Sequence, residues 1–496
     1  MPICPKSFIH LGRQDKIIYL WLFLIAFAAA FSSTYNPFNF RIMHVDSSVY
    51  ITMAQGIIRG HLPYLDMVDN KGPLTYFLSV PGLFLGGFTG IWITELLLIF
   101  VSVLFAYKTA LFFGNKNSAL FGTIFSFAAL LAFFLVNAGT EEYSLPFLTI
   151  SLYIFTKYFF SETKDIKFTE LLVLGICFAS AVLVRLNMFP LWAGFSIIMF
   201  IESIIKKRFI FAGKCIIGFL LGAMVIFIPV YIYLRTNGIM DAFIEQVILA
   251  GSARGFGGTS LKIVERNFFL VLGRNNCTLP LWIGIFWVFT KYKQPYFTWY
   301  LSYTFSYFLM VLFLSFSGGG VHYNLILIPF FVPALTYLAG VIYRVFPNYR
   351  MKRVLFVIFF CCLFMEGLIR YAFNMTTRLH NNSGNHLISA GKMIDENTKP
   401  GDKIISLGIN GYIYPFTQRE PASKYFFQGS GIDSPDAMDT FISGILSSKP
   451  AIIATVTEDG RDEILHDWHA PILEMMETEY RLLSDEYGHK IFIRKE

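Results

Sequence analysis

The stretch "IIYLWLFLIAFAAAFSS", residues 17–33, is an almost unbroken apolar run, long enough to cross a bilayer as a helix. No A-x-A-like cleavage site follows it, so it reads as a retained membrane helix and not as a removed signal peptide. The rest of the chain repeats the pattern. Of its 496 residues 55% are hydrophobic and 18% aromatic, and only 15% are charged. Water-soluble enzymes of this size carry about a quarter charged residues, and the mean hydropathy here is +0.56. A polytopic membrane protein follows.

Apolar segments of near-spanning length predict about eleven helices, near 17–33, 91–113, 118–136, 143–160, 170–188, 190–205, 211–234, 279–290, 296–316, 321–343 and 354–372. The formal net charge of +7 sits in short clusters between these runs and not along an aromatic-studded face, which favours a topology signal over a nucleic-acid footprint. With the N-terminus inside, Lys6, Arg13, Lys16, Lys116, Lys164, Lys167, Lys206, Lys207, Arg208, Lys291, Lys293, Arg350, Lys352 and Arg353 all fall on the cytoplasmic side. An odd helix count then sends the C-terminus out. The expected extracytoplasmic segments are 34–90, 137–142, 235–278, 317–320 and 373–496. The six cysteines form no CxxC metal motif and no disulfide framework: Cys177, Cys215, Cys361 and Cys362 lie in apolar segments, and Cys4 and Cys277 are far apart.

From about residue 375 the patterning is that of a soluble α/β domain. "DKIISLG", "AIIATV" and "KIFIRK" predict strands, and "HLISAGKMIDEN", "DAMDTFISGILSS" and "RDEILHDWHAPILEMMET" predict amphipathic helices. The division is therefore a transmembrane part, 1–372, and an extracytoplasmic α/β domain, 373–496. His466 and His469 in "HDWH" read as surface residues.

The polar chemistry concentrates on the outer side. In the first outer loop, "HVDSSVY" (44–50) opens a segment with apolar residues at Val49, Tyr50, Met53, Ile57 and Ile58, the spacing of a helix lying in the membrane interface. Asp46 at its start reads equally as a helix cap and as a catalytic carboxylate, and the two are not exclusive. Downstream, "YLDMVDNKGPL" gathers Asp66, Asp69 and Lys71. A lysine there could bind phosphate as a point charge, with the carboxylates orienting an acceptor hydroxyl or a divalent cation; a solvated loop with weak ion pairs is the plainer alternative. Glu141 and Glu142 in "NAGTEEYSLPF" stand where two apolar helices meet and need water, a cation or a polar partner. Arg185 in "VLVRLNMFP" and Arg254 in "GSARGFGGTS" could add positive charge for a lipid-linked phosphate, while that glycine run lacks the Walker lysine of a nucleotide-binding loop. His322 and Tyr323, in "SGGGVHYNLIL", open a late helix and suit an interfacial aromatic belt.

Taken together, the early outer-loop Asp, the "PYLDMVDNKGPL" segment, "EEYSLPF", the Arg-bearing "LVRLNMF" and "GGGVHYNLILIP" resemble the bacterial membrane glycosyltransferases of the GT-C class. These are relatives of the protein O-mannosyltransferases and of the lipid A aminoarabinose transferase. The resemblance covers residues 1 to about 372. It implies a transferase that takes a sugar from a polyprenyl-phosphate donor on the outer face of the cell membrane and gives it to a glycan, lipid or protein acceptor, with inversion. It also implies that Asp46 is the catalytic residue and that Lys71 approaches the donor phosphate, joined by Arg185 or Arg254. Asp66, Asp69, Glu141, Glu142, His322 and Tyr323 would line the acceptor side or the cavity. The residue before the family's lysine is often acidic; here it is Asn70, with Asp69 one step earlier. Asp69 and Glu141 are the carboxylates open to a divalent cation, Mg or Mn. The alternative from another class is a transporter or flippase of lipid-linked sugar or polysaccharide, which calls for paired internal repeats and mid-membrane charges.

Overall fold

The computed structural model describes residues 13–38, 45–131, 138–252, 260–274, 276–317, 320–345, parts of 350–372, and 385–495 apart from 409–410, 428–431, 433, 459–460, 463–466 and 486–488. Arg254 and His466 lie outside the described residues, as does much of the expected helix 354–372.

Among the described residues nine helices make up the first half: α1 (Arg13–Phe31), α2 (Val45–Ile58), α3 (Leu74–Phe77), α4 (Val80–Ala110), α5 (Lys116–Leu131), α6 (Thr140–Phe160), α7 (Phe168–Val184), α8 (Pro190–Ile205) and α9 (Phe209–Thr236). Helices Leu261–Gly273, Thr278–Thr290, Phe297–Phe316 and Ile328–Val345 follow. Among the described residues five helical segments are long and apolar enough to cross a membrane, and shorter apolar helices flank them. The chain is a multi-pass membrane protein.

Several boundaries differ from the sequence expectation for identifiable reasons. Helix α4 begins about ten residues early and is kinked at Gly86–Gly87, where Gly87 has φ 58°. Residues 235–278, expected only as an extracytoplasmic segment, hold helical turns from Met240 to Ser252 and the helix Leu261–Gly273. Helix α7 stops at Val184, and Arg185 is extended (φ −154°, ψ 125°) before the turn Leu186–Met188 and the proline that opens α8. Arg185 therefore stands at a break between two apolar helices and not inside one. Helices α7 and α9 pack closely. Added Cβ atoms at Gly175 and Gly222 would come within 2.0 Å of the Phe219 carbonyl oxygen and 2.1 Å of that of Leu172.

Basic groups gather where the α6–α7 connection meets the end of α8. Lys164 and Lys206 both pair with Glu202, Arg208 donates to the Lys164 carbonyl oxygen at 2.8 Å, and Lys214 pairs with Asp165 at 3.0 Å.

The C-terminal segment forms a mixed sheet, β2 (Glu420–Pro421), β1 (Lys403–Leu407), β3 (Ile452–Glu458), β6 (His489–Arg494), β5 (Tyr480–Ser484), with β4 (Arg461–Asp462) paired to β3. Strand β3 lies parallel to β1 and antiparallel to β6. Alternation along the strands sends neighbouring residues to opposite faces. Ile404 and Ile452 join the apolar core that continues into the membrane helices, while Ile405 and Ile453 pack with Phe441, Ile445 and Met475 from helices Pro435–Ser448 and Ala470–Glu479. "RDEILHDWHAPILEMMET" is not one helix. Arg461 and Asp462 pair with β3, and the helix starts only at Ala470, with Pro471 in the first turn, where its missing N–H leaves no bond unmade. His469 is fully buried and stacks on Trp468 with ring centroids 3.8 Å apart, which corrects its reading as a surface residue.

Candidate active site

Helix α2 differs from the interfacial helix its apolar spacing suggests. Ser47, Ser48 and Thr52 are buried along with Val49, Tyr50 and Met53, so no polar face is left for water. One reason is that the C-terminal segment sits on it: Gln55 donates to the Pro415 carbonyl oxygen at 3.2 Å, and Arg59, just past the helix end, donates to that of Gln418 at 2.8 Å. Asp46 is in the first turn of α2, half-buried, where the positive end of the helix dipole favours a carboxylate.

The segment 62–75 folds against α2 and the end of α7. Tyr64 adopts the left-handed region (φ 70°), which costs a β-carbon-bearing residue about 1–2 kcal/mol and marks a held geometry. Its hydroxyl donates to the Lys71 carbonyl oxygen at 2.8 Å, and the Tyr76 hydroxyl reaches Asp69 at 2.7 Å and the Lys71 carbonyl oxygen at 3.2 Å. The Lys71 ammonium donates to the Asn70 side-chain oxygen at 2.5 Å. Gly72 lies against the last turn of α7: its N–H donates to the Val184 carbonyl oxygen at 3.3 Å, and Thr75 donates to the same oxygen at 3.0 Å. The lysine-bearing loop is thereby pinned beside the residue that follows, Arg185.

Arg185 forms an ion pair with Glu141, and its guanidinium lies over the Tyr323 ring, 4.0 Å from the centroid. Glu141 also accepts from the Thr140 hydroxyl at 2.9 Å. Its neighbour Glu142 instead accepts from the Gly139 N–H at the start of α6 and so serves as a helix cap. His322 and Tyr323 sit in a 3-10 turn, Val321–Leu327, with the two rings edge-on at 4.2 Å. Asp66 stands apart, accepting from the Leu62 N–H at 2.7 Å and facing His61 at 4.0 Å.

Tyr50, which the sequence reading treated only as an apolar position, links these groups. Burial pushes its phenol well above its ordinary value, and the charges of Asp46, Asp69 and Glu141 push it further while Arg185 opposes them. Burial and then Asp69 raise Tyr76 in the same way, so it remains a proton donor to that carboxylate. A second missed residue is Glu95, fully buried in α4. It accepts from the Ser33 hydroxyl and from the Ala138 N–H, both at 2.5 Å, and ties the ends of α1 and α6 to α4. A carboxylate inside "IWITELLLIF" was the available signal.

The carboxylates read as open to a divalent cation are engaged by protein groups, Asp69 by Tyr76 and Glu141 by Arg185 and Thr140. Among the described residues no three His, Cys, Asp or Glu side chains gather as a metal site requires. These donors do not fit the Mg or Mn site that the sequence left open at Asp69 and Glu141.

The architecture matches solved glycosyltransferases of the GT-C class. The crystal structure of ArnT from Cupriavidus metallidurans bound to undecaprenyl phosphate is similar over 97% of this chain and 98% of that one, with TM-score 0.61 and 13% identity. Its apo form gives TM-score 0.60 at 12% identity, over the same shares. The apo oligosaccharyltransferase of Archaeoglobus fulgidus gives TM-score 0.52 at 11% identity over 89% of this chain and 69% of that one. The chain has the GT-C fold. Residues 11–273 match the family described as the putative competence-induced protein Ccs4 N-terminal domain, and the chain belongs to that family. No curated protein matches it.

Proposed function

We propose that this chain is an inverting glycosyltransferase that moves a sugar, hexose or pentose, from a polyprenyl-phosphate donor to a cell-envelope glycan, lipid or protein on the outer face of the cell membrane. The observation that carries the reading is the Arg185–Glu141 ion pair at the end of α7, with the Lys71-bearing loop pinned beside it by the Gly72 and Thr75 bonds to the Val184 carbonyl oxygen. The fold's likeness to a protein crystallised with undecaprenyl phosphate supports the donor class. The same reading has about eleven membrane helices in residues 1–372, a cytoplasmic N-terminus, and an extracytoplasmic α/β domain over 373–496.

An acceptor hydroxyl attacks the anomeric carbon, the bond from that carbon to the phosphate oxygen breaks, and the configuration inverts. Asp46 takes the hydroxyl proton as general base. Lys71 and Arg185 stabilise the negative charge growing on the departing polyprenyl phosphate. Glu141 holds Arg185 in position from one side and Tyr323 from the other, and Tyr76 and Tyr64 fix the backbone that carries Lys71.

Membranes carrying wild type or Asp46→Asn, incubated with radiolabelled polyprenyl-phosphate sugars, test this. Transfer should fall by about 10²–10⁴-fold in the variant while the donor still binds. Transfer that survives the substitution would sink the assignment of Asp46 as the base. Movement of sugar-lipid across the membrane without transfer would replace the enzyme reading by a flippase.

A further inference from the structure

We propose that the cleft between the first loop and the C-terminal sheet holds a distal segment of an acidic glycan acceptor, a sugar chain bearing phosphate or carboxylate groups. The proposal rests on the glycosyltransferase reading and names the acceptor class. A cavity of about 350 Å³ opens there, lined among others by Gln55, Arg59, Asp66, Lys403 and Lys424. A neighbouring cavity of about 530 Å³ shares Arg59, Arg419 and Glu420 with it, so the two adjoin and are treated together as a trough. Each lies within the size range of sites for small organic ligands.

Charge decides what fits. The two carboxylates that line the first cavity, Asp66 and Glu420, both face His61, at 4.0 Å and 3.2 Å. Arg59 donates to the carbonyl oxygen of Gln418, the Lys424 ammonium lies 5.4 Å from the centre of the Tyr425 ring, and Arg419 is paired with Asp395 at 2.8 Å. Among the described residues no carboxylate pairs with Arg59, Lys403 or Lys424. Four cationic side chains, Arg59, Lys403, Arg419 and Lys424, line the two cavities against three carboxylates, Asp66, Asp395 and Glu420, and the excess lies in the first cavity, which favours anionic ligands over neutral or cationic ones. The apolar lining, Leu65, Met67, Pro421 and Ala422 in the first cavity and Pro400 and Phe416 in the second, is interspersed with polar and charged groups, which favours a glycan over an acyl chain. The walls are fixed by the Val68 N–H bond to the Lys424 carbonyl oxygen at 3.0 Å and by the Gln55 bond to Pro415.

Asp46 and Arg59 are separated by the length of α2, about 20 Å at 1.5 Å per residue. A ligand in the trough does not touch Asp46, and only a chain of several sugar units spans both. The trough thus selects a polymeric acceptor and holds it away from the reacting end.

Full-length protein in nanodiscs of zwitterionic lipid would be titrated with a fluorescent oligo(glycerol phosphate), an oligogalacturonate and a neutral maltooligosaccharide. Both acidic probes should bind, more weakly as salt rises, and the phosphate and carboxylate arms distinguish the two anion types. The neutral probe should bind at least about tenfold more weakly, and the double variant Lys403→Glu, Lys424→Glu should lose about tenfold for the acidic probes with polyprenyl-phosphate binding unchanged. Should that variant misfold, Lys424→Gln with the same salt titration replaces it. Equal binding of the neutral probe, indifference to charge reversal, or full displacement by anionic lipid vesicles would overturn the proposal. Asp46→Asn should bind the acidic probes like wild type, so loss of transfer and loss of acceptor binding report on separate claims.

Discussion

Gly72 lies so close to Leu183 that a β-carbon on it would come within 1.9 Å of the Leu183 carbonyl oxygen. That approach brings the loop bearing Lys71 onto the end of α7, next to Arg185. Gly72→Ala must push the loop away from α7, since the obstacle is backbone and not a flexible side chain. Misplacing a binding group by about 1 Å costs on the order of 10²-fold in rate. Transfer assays should show a loss of that size together with weaker donor binding; full activity in Gly72→Ala would mean that the loop does not position Lys71 for the donor.

Arg185 and Glu141 form a buried pair, and breaking one from a single side leaves the other charge without its counter-ion. Arg185→Ala should lower unfolding stability by about 3–5 kcal/mol and abolish transfer. Arg185→Met combined with Glu141→Leu should recover stability without recovering transfer. If the double variant recovers both, Arg185 is structural only. Arg185→Lys keeps the charge but loses the flat stacking on Tyr323, and donor affinity should fall in that variant too.

Glu142 caps α6 through the Gly139 N–H. Removing such a cap costs about 1 kcal/mol. Thermal unfolding of Glu142→Ala should show that modest loss, with transfer within a few-fold of wild type, whereas a loss as large as that of Asp46→Asn would assign Glu142 to the chemistry.

Tyr76 donates to Asp69, which is 4% exposed. Tyr76→Phe leaves that carboxylate short of a donor and should cost about 1–3 kcal/mol. Because burial and Asp69 raise the folded phenol well above the unfolded value of about 10, its contribution to stability is complete below pH 10 and lost as pH rises further. Unfolding measured from pH 9 to 11 should fall more steeply in wild type than in Tyr76→Phe, and equal slopes would contradict the assignment.

How much of the site could be read from the chain depends on the kind of residue. Charged groups flanked by apolar runs, such as Arg185 and Glu141, are visible because burying a charge is expensive and demands a reason. Tyr50, Tyr64 and Tyr76 were not visible, since an aromatic residue near a membrane surface has ordinary uses that no pattern separates from a role in the site. The break of α7 before Arg185 was missed because the apolar run continues past it, and apolarity alone does not mark where a helix ends. His469 was misread because its burial depends on Trp468 and Phe441, and Phe441 is supplied by a different helix.

The sequence by itself determined that this is a multi-pass membrane protein, since runs like residues 17–33 have no stable alternative to helices in lipid. It also determined where the conspicuous charges lie along the chain, and its spaced motifs resembled the GT-C class whose fold the chain has. Tertiary structure alone decided which of those charges meet. The pairing of Arg185 with Glu141, 44 residues apart, and the docking of the helical turn Ile413–Thr417 on α2 depend on contacts between distant segments. Such contacts are set by packing, by a glycine where two backbones touch and by buried groups that need partners, and local periodicity carries no record of them.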